Sequence, residues 1–387
     1  MHNLTAALAA VATLTPNSAA ANFAFRRKGR KGEGNERAKG RGKMVDQQKG
    51  EDGGGERKRW QWGGGVQADG FQATKLFVFG DSYADTGNRE STAISWPYGI
   101  TTPGYPDGRF SDGLILTDFV AEFYGMDTPV AYTKINKTSD TRYGVNFAYG
   151  GAGVFDTLTP VPNITTQIDF LEELVNESVI STTDLESSLF LISCVGNDYL
   201  TYLATQPEIL LNPDLQDLIN ALEEISRVVD QIAVNLKRLI DLGAMKIAVT
   251  SLQTLGCLPV FASSPSNCNN ILDVFPIVHN VLLREKVANL NNENSNSTII
   301  ILDLFTTFRI VLGTGTFDPP YQACLRGNCT AAYGYGYTDQ SCILCDDRNS
   351  AFFWDVVHPT EAGWRAAFEV LKPTLEQITS FTMKSII

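Results

Sequence analysis

From residue 74 onward, short unbroken apolar runs alternate with longer stretches in which apolar residues recur every three or four positions. Leu76 to Phe79 is such a run, ending abruptly in Gly80-Asp81-Ser82 and a polar turn, which predicts a short buried strand. Leu189 to Val195 is a second, followed by Gly196-Asn197-Asp198; Lys246 to Leu252 and Thr298 to Leu304 predict two more. Between them, Asp214 to Leu242 has helical periodicity through Leu215, Leu218, Leu222, Ile225, Val229 and Ile232, with Gly243 as its stop. A second helix is expected from about Phe275 to Leu290. A last one runs from Glu361 to Lys372, capped by Thr360 and ended by Pro373. Helices alternating with strands of this kind predict an α/β fold with a central parallel sheet covered by helices on both faces. No internal repeat or second core is visible, so residues 71–387 are read as one domain.

The candidate chemistry sits where those runs end. A serine on a tight turn at the carboxyl end of a central strand is where an open α/β sheet presents reactive groups. Its hydroxyl is a weak nucleophile that needs a base, and the base needs a partner to fix its tautomer. Three histidines are available: His2, His279 and His358. His2 lies in the leader, and His279 falls within a helical pattern that reads as structural. His358 closes Phe352-Phe353-Trp354-Asp355-Val356-Val357-His358, where Asp355 is spaced to orient it. A metal pair is the rival reading, but two ligands without a third make a poor site. The α/β-hydrolase elbow Gly-x-Ser-x-Gly is also a poor match, since Ala84 stands at its last position.

With these residues in view, the chain resembles the plant GDSL-type lipases and esterases of the SGNH hydrolase superfamily. Gly80-Asp81-Ser82 is similar to the nucleophile block, Gly144 to Gly153 to the glycine block, Val195-Gly196-Asn197-Asp198 to the asparagine block, and Asp355-Val356-Val357-His358 to the Asp-x-x-His block. Pro97-Tyr98-Gly99, Gly108 to Gly113 and Thr250 to Pro259 are lesser matches, and the resemblance spans roughly residues 74 to 375. It implies a flavodoxin-like three-layer sandwich with an open groove and no lid domain. It implies a Ser82–Asp355–His358 triad, and an oxyanion hole of the Ser82 N–H, the Gly150 N–H (with Gly151 as the adjacent possibility) and the Asn197 amide. No metal or organic cofactor is expected, and the substrate is a small-molecule or lipid acyl ester cleaved through an acyl-enzyme. Tyr83 departs from the leucine in the family's name and bears on acyl-pocket shape; with Trp96, Tyr98 and Tyr149 it is a candidate lining of that groove. An acyltransferase with the same triad, or a glycan- or protein-binding module with a vestigial site, are the alternatives. Product analysis with an added alcohol separates the first of these.

Charge divides the chain. Residues 26–59 hold 13 Lys/Arg against 6 Asp/Glu among many glycines, whereas the whole chain has a net charge of −12. A Gly/Lys/Arg-rich tract without apolar periodicity cannot bury a core, so residues 1–70 are read as a leader and low-complexity segment that is disordered or removed. No nucleic-acid fold accompanies the basic tract, and no nucleic-acid partner is expected. Leu4 to Leu14 followed by Asn17-Ser-Ala-Ala-Ala21 has the outline of a secretory signal, without the usual basic start; a plastid transit peptide is the alternative. Sequons at Asn136, Asn163, Asn176, Asn296 and Asn328 fit secretion. Of seven cysteines, Cys324, Cys329, Cys342 and Cys345 cluster and Cys257 and Cys268 lie close together, predicting disulfides rather than a zinc site; Cys194, in an apolar run, is the unpaired one. No apolar segment approaches the ~18 residues of a membrane span, and a monomer is expected.

Overall fold

The computed structural model describes residues 71–380, apart from 91, 137–139, 195, 207–208, 210–213 and 328–342. The leader assigned to residues 1–70 therefore lies outside the described residues. Six strands form one sheet: β1 (Leu76–Gly80), β2 (Val130–Ala131), β3 (Val145–Asn146), β4 (Leu189–Ser193), β5 (Lys246–Thr250) and β6 (Thr298–Leu302). Their order is β2-β3-β1-β4-β5-β6, and every pair is parallel. Setting aside the two-residue edge strand β2, this is the flavodoxin-like order, in which the topological switch falls between β1 and β4. All of β1 and β4 is buried, which is why both read as continuous apolar runs rather than alternating ones. Phe77 meets Phe190 at 5.3 Å between ring centroids, and Phe79 stacks on Phe147 at 5.1 Å.

The helices are α1 (Leu116–Phe123), α2 (Ile164–Asn176), α3 (Thr182–Glu186), α4 (Asn197–Thr205), α5 (Leu215–Leu242), α6 (Val274–Glu293), α7 (Leu304–Leu312) and α8 (Glu361–Ser380). One layer is formed by α2, α5 and α6, which pack on one another, on β1 and on β6; α1, α7 and α8 form the other. A short antiparallel pair, β7 (Leu325–Arg326) and β8 (Ile343–Leu344), stands apart from the sheet. The Cys324–Cys345 disulfide lies beside it, and a second bridge joins Cys257 to Cys268. Cys194 is free and buried, whereas Cys329 and Cys342 lie outside the described residues. Among the described residues, no helix is long and apolar enough to cross a membrane.

The long helix ends as its sequence predicts: Asp214 accepts the Asp217 N–H in a capping box, and Gly243 takes φ 115°. Thr360 likewise accepts the Gly363 N–H at 2.9 Å. The expected stop at Pro373 is overturned, because α8 continues through it to Ser380. An interior proline costs about 3 kcal/mol through its missing N–H and its clash with the preceding turn. Leu371, Leu375 and Ile378, on both sides of it, are buried, and each such side chain contributes about 1.5–3 kcal/mol. Packing of the apolar face outweighs the broken hydrogen bond.

Candidate active site

Register brings the site together. β1 and β4 pair from Leu76 opposite Leu189 to Gly80 opposite Ser193, so the turns carrying Ser82 and Asn197 leave the same rim of the sheet. Gly80 has φ 149°, and a Cβ there would lie 2.1 Å from the Ser193 carbonyl oxygen; only glycine fits so close to the neighbouring strand. Gln167, from α2, locks this residue by accepting the Gly80 N–H at 2.8 Å and donating to its carbonyl at 2.9 Å. The nucleophile turn thus starts from a backbone fixed on both sides.

His358 Nε2 lies 2.7 Å from Ser82 Oγ, and its Nδ1 lies 2.8 and 2.7 Å from the two oxygens of Asp355. Because Nδ1 faces a carboxylate it carries the ring proton, which leaves Nε2 to accept from the Ser82 hydroxyl. Asp355 is wholly buried. It also accepts the N–H groups of Val357 (2.9 Å) and His358 (2.8 Å) and the Tyr98 hydroxyl (2.9 Å). Burial alone would raise its pKa, but His358 and the backbone donors outweigh that and hold it below the ordinary carboxylate value. Ser82 and His358 are 9% and 4% exposed, so both sit at the floor of the site.

The four aromatic candidates for a groove divide. Tyr83 is buried, its ring centroid 5.1 Å from that of Trp364 and 5.9 Å from that of His358 in edge-on contacts, and its hydroxyl donates to the Val357 carbonyl at 2.7 Å. Tyr98 is buried against Trp354, and Tyr149 is buried too; Trp96 alone of the four is half exposed. Tyr83 and Tyr98 therefore stand behind the Asp355–His358 loop and are not groove lining. Phe110 also packs against His358, with ring centroids 5.2 Å apart.

The oxyanion donors need one correction. The Gly150 N–H donates to the Asp85 carboxylate at 2.8 Å and is not free for a substrate. Asp85 is buried and also accepts the N–H groups of Gly87, Asn88 and Arg89. Burial drives its pKa up against the pull of these four donors. The adjacent Gly151, with φ 88°, is the glycine whose N–H donates to no protein group among the described residues. Among the described residues no protein acceptor takes the Ser82 N–H either. The Asn197 amide, at the first position of α4, donates to the Ala152 carbonyl at 2.9 Å and reaches Asp81 at 3.4 Å.

Several residues that hold these loops were not singled out from the sequence. Asn146 donates to the Ala84 carbonyl and to Thr86 Oγ1, and Asn88 donates to the carbonyls of Asn146 and Ala148. Asp198 accepts the N–H groups of Val154 and Phe155, tying the first turn of α4 to the segment after the glycine turn. Asp85, Asn88, Asn146 and Asp198 all lie inside or beside the quoted motifs. The available signal was that polar residues embedded in buried apolar blocks must find partners. Gln167 gave no such signal, since it contacts Gly80 from 87 residues away in sequence.

His279 is elsewhere, buried in α6 with Nδ1 bonded to the Tyr199 hydroxyl at 2.7 Å and Nε2 without a partner among the described residues. A cavity of about 520 Å³ near β2 is lined by Asp127, Thr128, Val130, Asp140, Arg142 and Tyr143, none of which belongs to the site. Among the described residues no cluster of His, Cys, Asp and Glu is suited to hold a metal ion.

Residues 76–371 match the family model of the GDSL-like lipase/acylhydrolases. A GDSL esterase/lipase of Arabidopsis thaliana is 45% identical over 324 residues, covering 79% of this chain and 88% of that protein. A second from the same plant is 43% identical, with 79% and 89% covered. Acetylajmalan esterase 2 of Rauvolfia serpentina is 28% identical, with 78% and 90% covered. Among solved structures, an extracellular lipase of Streptomyces rimosus aligns over 79% of this chain and all of its own at 14% identity, with a TM-score of 0.38. With a family match that runs from the first residue of β1 into α8, and plant relatives matched over most of their length, the chain belongs to the plant GDSL esterase/lipase family and is an acyl-ester hydrolase.

Proposed function

We propose that the protein cleaves carboxylic esters by two-step acyl transfer on Ser82. The observation that carries this reading is the unbroken chain of short contacts from Ser82 Oγ through His358 to the buried Asp355 carboxylate. His358 Nε2 takes the hydroxyl proton as Ser82 Oγ attacks the ester carbonyl, and Asp355 stabilises the imidazolium that forms. The carbonyl oxygen becomes an oxyanion held by the N–H groups of Ser82 and Gly151 and by the Asn197 amide. Collapse expels the alcohol, protonated by His358. Water, deprotonated by the same imidazole, then attacks the acyl-enzyme and releases the acid. Removing one oxyanion donor from such a site costs about 10²–10³ in rate.

Secretion is part of the proposal. It is supported by the two disulfides and by exposed sequon asparagines at Asn136, Asn176 and Asn296. An endoglycosidase-sensitive mobility shift of the secreted protein checks it.

The function itself is tested with p-nitrophenyl acetate, butyrate and a long-chain ester, comparing wild type with Ser82→Ala. Turnover by wild type and its loss in the variant support the scheme, and the chain-length preference then defines the acyl site. Activity that survives both Ser82→Ala and His358→Ala sinks it. Adding an alcohol acceptor and analysing products separates hydrolysis from acyl transfer.

A further inference from the structure

The Gly150–Gly151 peptide is gripped at its carbonyl. Arg89 Nη1 donates to the Gly150 carbonyl oxygen at 2.8 Å. That carbonyl and the Gly151 N–H are the two ends of one planar, trans peptide group, so they point in opposite directions, and fixing one fixes the other. On the far side of Gly150, its own N–H is held by Asp85. The turn is therefore tied by a carboxylate at one peptide and a guanidinium at the next. Arg89 makes no ion pair among the described residues; burial pulls its pKa down and only the Asp85 charge opposes that. Its guanidinium also lies against Gly151 itself, where an added Cβ would come 2.9 Å from Nη1 and 2.8 Å from Thr159.

We infer that Arg89 is a positioning residue for the oxyanion hole: its charge-assisted hydrogen bond to the Gly150 carbonyl aims the Gly151 N–H at the reacting oxygen and strengthens it as a donor. The inference rests on the esterase reading above. Hydrogen bonds to charged groups are shorter and stronger than neutral ones, and a donor on an amide oxygen polarises that amide and makes its N–H more acidic, the cooperativity seen in hydrogen-bond chains. The effect is felt most where negative charge develops, in the transition state and not in the bound ester. Arg89 itself need not touch the substrate.

The test compares wild type, Ser82→Ala, Arg89→Met and Arg89→Lys on p-nitrophenyl butyrate, with thermal melts to establish folding. Arg89→Met keeps the apolar stem and removes the donor and the charge. It is expected to lower kcat about ten- to a hundredfold, in the range of a charged hydrogen bond, with KM within about twofold. Phosphonylation of Ser82 by a p-nitrophenyl alkylphosphonate, which puts negative charge on the oxygen in the same hole, should slow by a similar factor. Arg89→Lys should recover part of both losses, and millimolar guanidinium should partly rescue Arg89→Met without affecting wild type. If Ser82→Ala is inactive but a folded Arg89→Met keeps its kcat and phosphonylation rate, the inference is overturned and the triad stands. A rise in KM confined to anionic esters also overturns it, making Arg89 a substrate-docking group. If Arg89→Met does not fold, Arg89→Lys and Arg89→Gln carry the same comparison. Activity in Ser82→Ala removes the reading beneath it instead.

Discussion

Among the described residues two histidines are buried, and they have opposite fates. His358, at the carboxyl rim of the sheet, has both ring nitrogens engaged, one by a carboxylate and one by a serine hydroxyl. His279, in the middle of α6, has a neutral phenol on Nδ1 and, among the described residues, no hydrogen-bond partner on Nε2. Burial is nearly the same, at 4% and 1% exposed. What differs is the charge that faces the ring. Desolvation with no compensating anion pushes the His279 pKa down to about 3, so it is locked neutral and chemically idle. A buried imidazole becomes useful as a base only when a carboxylate stands behind it to accommodate the proton it takes.

The sharpest way to break this contrast is to delete each ring. His358→Ala should lower kcat/KM by about 10⁴-fold or more, as loss of a triad member does, whereas His279→Leu should leave it within a few-fold once folding is checked. A large activity loss in a folded His279→Leu would erase the distinction.

Acid should expose the other side of the comparison. The unfolded chain protonates His279 below about pH 6.5, while the folded state resists until about pH 3. Protonation therefore favours unfolding: this contribution to stability is fully present above pH 6.5 and is lost progressively as pH falls toward 3. The loss is on the order of a few kcal/mol for a shift of this size. Urea midpoints measured from pH 7 to pH 4 should fall, and the fall should be shallower in His279→Leu.

A smaller effect concerns the carboxylate behind His358. Tyr98→Phe removes one donor from Asp355 without touching the substrate side. Asp355 then loses one of the contacts that fix its orientation toward His358, and kcat should fall by about tenfold. An unchanged kcat with a lowered melting temperature would make Tyr98 merely structural. The smallest expected change is Tyr199→Phe, which leaves His279 Nδ1 unpaired and should cost about 1–3 kcal/mol of stability. Added to His279→Leu, the same change should cost less than the sum, since a double replacement by apolar groups leaves nothing buried and unsatisfied.

These contrasts also mark how far the sequence could be read. β1, β4, β5 and β6 were legible because strands buried on both faces must be apolar throughout, and α5 because its caps and its 28-residue periodicity agree. The two-residue strands β2 and β3 carry no such pattern, and α2 escaped notice although it supplies Gln167. Pro373 misled because a local rule was applied where packing of Leu371, Leu375 and Ile378 decides. The likeness of the motifs pointed to Ser82, Asp355, His358 and Asn197, and the structure gathers them at one rim. It could not choose between Gly150 and Gly151. That choice depends on which N–H the Asp85 carboxylate occupies, a contact across 65 residues.

The fold class and the chemical types gathered at the strand ends follow from local pattern alone, because burial periodicity and short-range motif spacing are properties of neighbouring residues. Only the folded chain settles which peptide N–H stays free, why Tyr83 and Tyr98 brace the Asp355–His358 loop instead of lining a groove, and how Ser82 comes within 2.7 Å of His358. Each of those depends on a buried polar group finding its partner from a distant part of the chain. A local pattern records that such a group must be satisfied, but not by whom.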